Sequence, residues 1–138
     1  MQDRPTCDEL LAAVERFLDT EIVPNMPGSR GFHARVAANV IRIVRRELES
    51  QEEQLAAEWA GLDRLLGEQE PPAGQRALTE TLRARNDDLC KRIRAGEADS
   101  GDYSDAVFAH VRGTVRAKLS VSDPALLERS QDSNRALE

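Results

Sequence analysis

FHARVAANVIRIVRRELE, residues 32–49, is the stretch that decides how the chain folds. At 100° per residue, Phe32, Ile43, Val36, Val40, Val44, Ala37, Leu48, Ile41 and Ala34 share an arc of roughly 200°. An ordinary surface helix needs a stripe only a little over about 100° wide. A doubled arc predicts a helix with two or more neighbours, the central helix of a bundle. Two polar residues, His33 and Glu47, interrupt the arc. They stand about 21 Å apart along a helix and cannot share one site.

Outward from this stretch, Pro27-Gly28 marks a turn and Ser29 is a candidate N-cap. On the other side Ser50 with Glu53 makes an S-x-x-E capping box. Ser50 therefore reads as a corner, with a helix over about 30–49 ending there and another starting. One kinked helix is the alternative. Before the turn, Thr6 and Glu9 form a second capping box, and Leu10, Leu11, Val14, Phe17, Leu18 and Ile22 make one stripe, closed by Pro24 and Pro27-Gly28.

After the corner, Leu55, Trp59, Leu62, Leu65 and Leu66 share a face, and Gly67 suits the C′ position. Residues 67–75, GEQEPPAGQ, read as a loop. Leu78, Leu82, Leu89 and Ile93 form a narrow stripe on a helix that Gly96 ends, with Arg85 and Arg92 on its flanks. Val107, Phe108, Val111, Val115 and Leu119 are expected to be buried on a last long helix. Gly113 on its other face costs about 1 kcal/mol against Ala unless something packs closely there. Asp123-Pro124 starts a short C-terminal turn. No period-two strand pattern occurs. The expectation is an all-α, single-domain bundle of about five helices over residues 1–128, followed by a tail, 129–138, with little to bury.

Composition narrows the function classes. Apolar residues make up 40% and charged residues 32% of the chain, as in a folded helical protein. The net charge of −6 disfavours a dedicated nucleic-acid binder, which needs a clustered positive field. No apolar run reaches the roughly 20 residues of a membrane span, and the N-terminus has no signal pattern. The expected location is cytoplasmic, with Cys7 and Cys90 as reduced thiols.

Motifs for chemistry are sparse. Two histidines and two cysteines lie too far apart in sequence for a zinc motif, and no Glu-x-x-His pair suggests a di-iron site. Glu49 with Glu52 or Glu53 has the spacing of a magnesium-holding pair, but its only counterpart, Asp87 and Asp88, diverges around the helix. No catalytic, cofactor-binding or metal-binding residue is assigned. Two polar sets remain. Arg35, Asn39, Arg42 and Arg46 form a stripe suited to an anion or an acidic partner, or to acidic residues of the same domain. His33, Asn39, Asn86, Arg112 and Arg116 could line a polar pocket between helices. Glu47 in the apolar arc calls for an arginine from another helix, with Arg85, Arg92, Arg112 and Arg116 as candidates.

The segments DRPTCDELLAAVERFL, FHARVAANVIRIVRREL, LCKRIRAGE and VRGTVRAKLSVSDPALL, in this order, resemble a small bacterial family of helical proteins of unknown function. The resemblance runs from about Asp3 to Leu127, with Asp123-Pro124 where Asn-Pro is the expected pair. Members are typically encoded beside kinase-fold phosphotransferases of the aminoglycoside or choline kinase type and beside acyl-CoA dehydrogenases. The resemblance thus implies a non-catalytic accessory partner of such an enzyme. A ligand-binding protein or enzyme with a polar pocket, and a homodimer that completes the 32–49 arc, are the alternatives.

Overall fold

The structure is a computed structural model and describes residues 3–135. It is all-helical, with no strand among the described residues: α1 (Cys7–Phe17), a π-helical turn (Leu18–Ile22), α2 (Val23–Asn25), α3 (Ser29–Leu66), α4 (Gln75–Arg94), α5 (Gly101–Ser122) and α6 (Pro124–Arg135). The first three segments follow one another without a break, so the described residues make five helical runs. It divides between Ser50 and Gln51 into two compact units.

In the first unit the Thr6 capping box forms in full. The Thr6 hydroxyl accepts from the Glu9 N–H at 3.2 Å, and the Glu9 carboxylate accepts from the Thr6 N–H at 2.7 Å. The run ends at Asn25, between Pro24 and Pro27-Gly28. Pro24 has no N–H to give to the preceding turn, and the chain widens into π geometry before it. The Asn25 side chain then donates to the Glu21 carbonyl at 2.8 Å, closing the end. At the turn Gly28 takes φ +74°. Gly31 packs so tightly that a Cβ there would lie 1.9 Å from the Met26 carbonyl oxygen.

The Ser50 corner is not formed. α3 runs 38 residues through it, and the Ser50 hydroxyl donates back to the Arg46 carbonyl at 2.8 Å. A serine that bonds four residues back sits inside a helix rather than capping one. The expected burial of the 32–49 arc is also corrected. Only Gly31, Ala34 and Ala38 are buried among the described residues of this unit. Phe32, Val36, Val40, Val44 and Leu48 are exposed, because α1 meets the edge of α3 that carries small residues and arginines.

The second unit has a true core. Leu62 is completely buried, within a cluster of Trp59, Leu65, Leu82, Leu89 and Val107 that Leu55, Leu66, Leu78, Ala98 and Tyr103 border. Gly67 ends α3 at φ +99° and donates to the Asp63 carbonyl at 3.0 Å. Gly96 ends α4 in a Schellman arrangement, with Gly96 N–H to Ile93 at 3.1 Å and Glu97 N–H to Arg92 at 3.2 Å. α5 buries Val107 and Val121 but leaves Phe108, Val111 and Val115 exposed, against expectation. Its buried face is set by Tyr103, Val107 and Val121, and the other three lie to one side of it. Asp123 caps α6, accepting from the Leu126 N–H at 3.1 Å. α6 extends well past the short turn expected, and residues 136–138 of the expected tail lie outside the described residues.

Candidate functional site

In the first unit α1 and α3 are joined along an ionic edge. Arg45 donates to Asp8 at 2.7 Å and to Glu15 at 2.7 Å; Arg42 donates to Glu15 at 2.9 Å and also to Asp19. Advancing from Asp8 in α1 to Asp19 in the π-helical turn that continues it means retreating along α3 from Arg45 to Arg42, so the helices are antiparallel. The bond from Arg45 holds the Asp8 carboxyl below its ordinary range. The carboxylate partners, Asp19 first for Arg42 and Asp8 first for Arg45, push both guanidinium groups higher still. An open cleft of about 530 Å³ lies over this edge, lined by Cys7, Leu48 and the ion-paired side chains among others.

The acidic residues of α1 and the arginines of α3 face each other along one edge, and around each helix the exposed apolar side chains lie largely away from that edge. Leu10, Val14 and Phe17 of α1 are exposed, as are Phe32, Val36, Val40, Val44 and Leu48 of α3.

In the second unit a groove of about 510 Å³ runs between α3 and α5. Small residues (Ala57, Gly61, Ala109, Gly113, Ala117) line much of it, with His110, Glu58, Arg64 and Lys118 as its charged or titratable members. His110 lies across Gly61, where a Cβ would come within 2.2 Å of its Nδ1. Burial, first of all, pushes the His110 pKa down; Glu58 works against this, and Arg64 and Lys118 add to it. Nothing lies within 4 Å of where a Gly113 Cβ would be.

Arg85, read from sequence as a flanking charge, is buried at 4% exposure. It donates to Asp63 at 2.7 Å and to the Gly67 carbonyl at 2.8 Å, and its guanidinium sits 4.6 Å from the Trp59 ring centroid. The signal was available, because Arg85 lies three residues after Leu82 and four before Leu89, on the same face. Arg85 Nε, Trp59 Nε1 and the Tyr103 hydroxyl are buried without a hydrogen-bond partner among the described residues.

The residues singled out from sequence are placed as follows. Arg35 and Asn39 are exposed, with Arg35 Nε donating to the Gly31 carbonyl at 3.4 Å. Arg42 is taken up by Glu15 and Asp19, so its charge is answered inside the chain. Arg46 is half-buried. His33 belongs to the first unit, exposed and edge-on to Phe32 at 5.6 Å. Asn86, Arg112 and Arg116 belong to the second; Asn86 donates to Glu58 at 2.6 Å, and both arginines are exposed. None of the five candidate pocket residues, Asn39 included, lines the α3–α5 groove. Glu47 is exposed and needs no buried partner; of the arginines considered for it, Arg85 belongs to Asp63.

Among the described residues no three His, Cys, Asp or Glu side chains gather as metal ligands, and no helix is long and apolar enough to cross a membrane. The fold and these surfaces define an all-helical protein whose most conspicuous features are uncovered apolar faces. The chain belongs to the family described as Domain of unknown function (DUF6285), whose model matches residues 24–126. No curated protein and no solved structure matches it.

Proposed function

We propose that the chain is a non-catalytic interaction protein, an accessory subunit of a small-molecule phosphotransferase or an acyl-CoA dehydrogenase, and that it meets this enzyme through α5. The observation that carries the reading is the exposure of Phe108 (67%) beside Val111 and Val115 on one face of that helix. Arg112 and Arg116 are exposed next to this stripe. An aromatic anchor with arginines at its rim is the composition that concentrates binding energy at protein interfaces. The resemblance in sequence supplies the class of enzyme.

Affinity capture of the tagged chain from its own host, read by mass spectrometry, tests this. The enzyme is expected in stoichiometric yield with the wild-type chain and is expected to be lost with Phe108→Glu. Its absence from both eluates, or its presence in both, overturns the reading.

The α3–α5 groove favours a second reading, a small anionic ligand held by His110, Arg64 and Lys118. A thermal-shift screen of acyl-CoAs and phosphorylated metabolites, with His110→Ala as control, tests it. A hit that the variant abolishes supports the groove; a screen with no hit removes it.

A further inference from the structure

We propose that the apolar face of residues 32–48 is covered by the same face of a second copy of this chain, the two α3 segments packing antiparallel about a two-fold axis at Val40.

The row Phe32, Val36, Val40, Val44, Leu48 is symmetric about its middle. With Val40 on a two-fold axis it opposes itself and Val36 meets the partner's Val44, while Phe32 and Leu48 lie at the flanks of the contact. The two polar intruders obey the same symmetry. His33 lies seven residues before Val40 and Glu47 seven after it. In one chain they stand about 21 Å apart, but across the axis each His33 meets the partner's Glu47. Both side chains are exposed in the single chain and free to make that contact. A histidine and a glutamate in the apolar arc, which single-chain reasoning leaves as two separate oddities, become one interaction made twice. This is the self-complementarity that an isologous interface demands.

Exposure leaves the row available for such a contact: Phe32, Val36, Val40, Val44 and Leu48 are all exposed in the single chain. Among its described residues the unit that carries them buries only Gly31, Ala34 and Ala38, too little to hold a two-helix layer by itself. Such a layer needs a cover that is present whenever the chain is made, and a second copy meets that condition. The charges of the ionic edge are largely paired within each copy, so the net charge of −6 is not concentrated where the copies meet. The inference is independent of the α5 reading, since it concerns a different helix and a different partner.

Sedimentation equilibrium of the full chain tests it. The wild-type chain is expected to be a dimer at micromolar concentration. Val40→Glu, which places two carboxylates face to face, is expected to weaken the dimer at least ~100-fold. His33→Glu is expected to weaken it about tenfold by opposing the partner's Glu47, and adding Glu47→Lys to His33→Glu is expected to restore it to within about threefold. Val40→Cys in a Cys7→Ser, Cys90→Ser background is expected to form an interchain disulfide on mild oxidation, and Arg35→Cys in the same background is not. This pair decides the matter should Val40→Glu fail to fold. A monomeric wild-type chain overturns the proposal. So does a dimer with no charge-swap rescue and no link through position 40, and neither result bears on the enzyme captured through α5.

Discussion

The two units solve the same problem in opposite ways. Both are made of amphipathic helices. In the second, Trp59, Leu62, Leu65, Leu82, Leu89 and Val107 turn inward, and the one charge that goes with them, Arg85, is answered by Asp63, a carbonyl and an aromatic ring. In the first, the charges join the helices to each other, and the large apolar side chains stay outside. Burying apolar area is the stronger of the two devices; exposed ion pairs are typically worth about 0–1 kcal/mol each. A unit held mostly by ion pairs is therefore tuned for covering by something else, and a unit held by its core is not.

Substitutions test this contrast. The largest effect is expected at Leu62: Leu62→Ala should destabilise the second unit by about 3–5 kcal/mol in urea denaturation, since the site is fully enclosed. A loss below about 1 kcal/mol would mean that the core is looser than its burial implies. Arg85→Ala follows, at about 3 kcal/mol, because it leaves the Asp63 carboxylate unpaired and removes packing from Trp59. In the first unit Glu15→Ala should cost only about 1 kcal/mol although it removes the acceptor of both Arg42 and Arg45. Faster amide exchange confined to α1 and the start of α3, reproduced in wild type by added salt, is the expected readout.

The pH dependence separates the units as well. The His110 pKa is lowered by burial, so the unfolded chain binds its proton first. The stability this group contributes is complete above the ordinary histidine value of about 6.5 and is lost as pH falls through the lowered value. The Asp8 pKa is lowered by Arg45, and its contribution is complete above about 3.9 and fades only as pH drops below that. Amide exchange followed from neutral to acid pH should register the His110 loss in α5 before the Asp8 loss in α1. The reverse order would contradict both assignments. The smallest effect is expected at Gly113, with Gly61 as its contrast. Gly113→Ala should stabilise by about 0.5–1 kcal/mol, as nothing opposes the added methyl group, whereas Gly61→Ala should destabilise by about 1–3 kcal/mol through His110.

Much of the second unit was legible in the sequence, because the period of Leu55, Trp59, Leu62 and Leu65 is long and clean and glycine marks both helix ends. Arg85 was missed because a charge was assumed to flank the stripe whose face it shares. The first unit was legible as helices but not as packing. The Ser50–Glu53 pattern matches a capping box, yet the same four-residue spacing occurs inside helices, where the hydroxyl bonds backward. Pro24 reads as a stop, and the π turn that accommodates it has no sequence mark of its own. The wide arc of residues 32–48 predicts neighbours across its whole width, whereas the structure leaves its large side chains exposed. A periodicity cannot say whether those neighbours belong to the same chain. The same limit applied to the arginine row, where wheel position put Arg42 beside Arg35 but only the fold could deliver Glu15 and Asp19 to it.

One further consequence follows from the grip of Arg85 on the end of α3. Its side chain, rooted in α4, holds the Gly67 carbonyl at the entrance of the loop that leads to Gly74. The peptide link across that loop is then largely redundant to the association of the two helices. A protease that cuts between residues 68 and 73 should leave a nicked protein whose halves travel together on a sizing column and part only in denaturant. Separately expressed halves should find each other and rebuild the unit, which would make this loop the natural place to split the chain into a pair of reporter fragments.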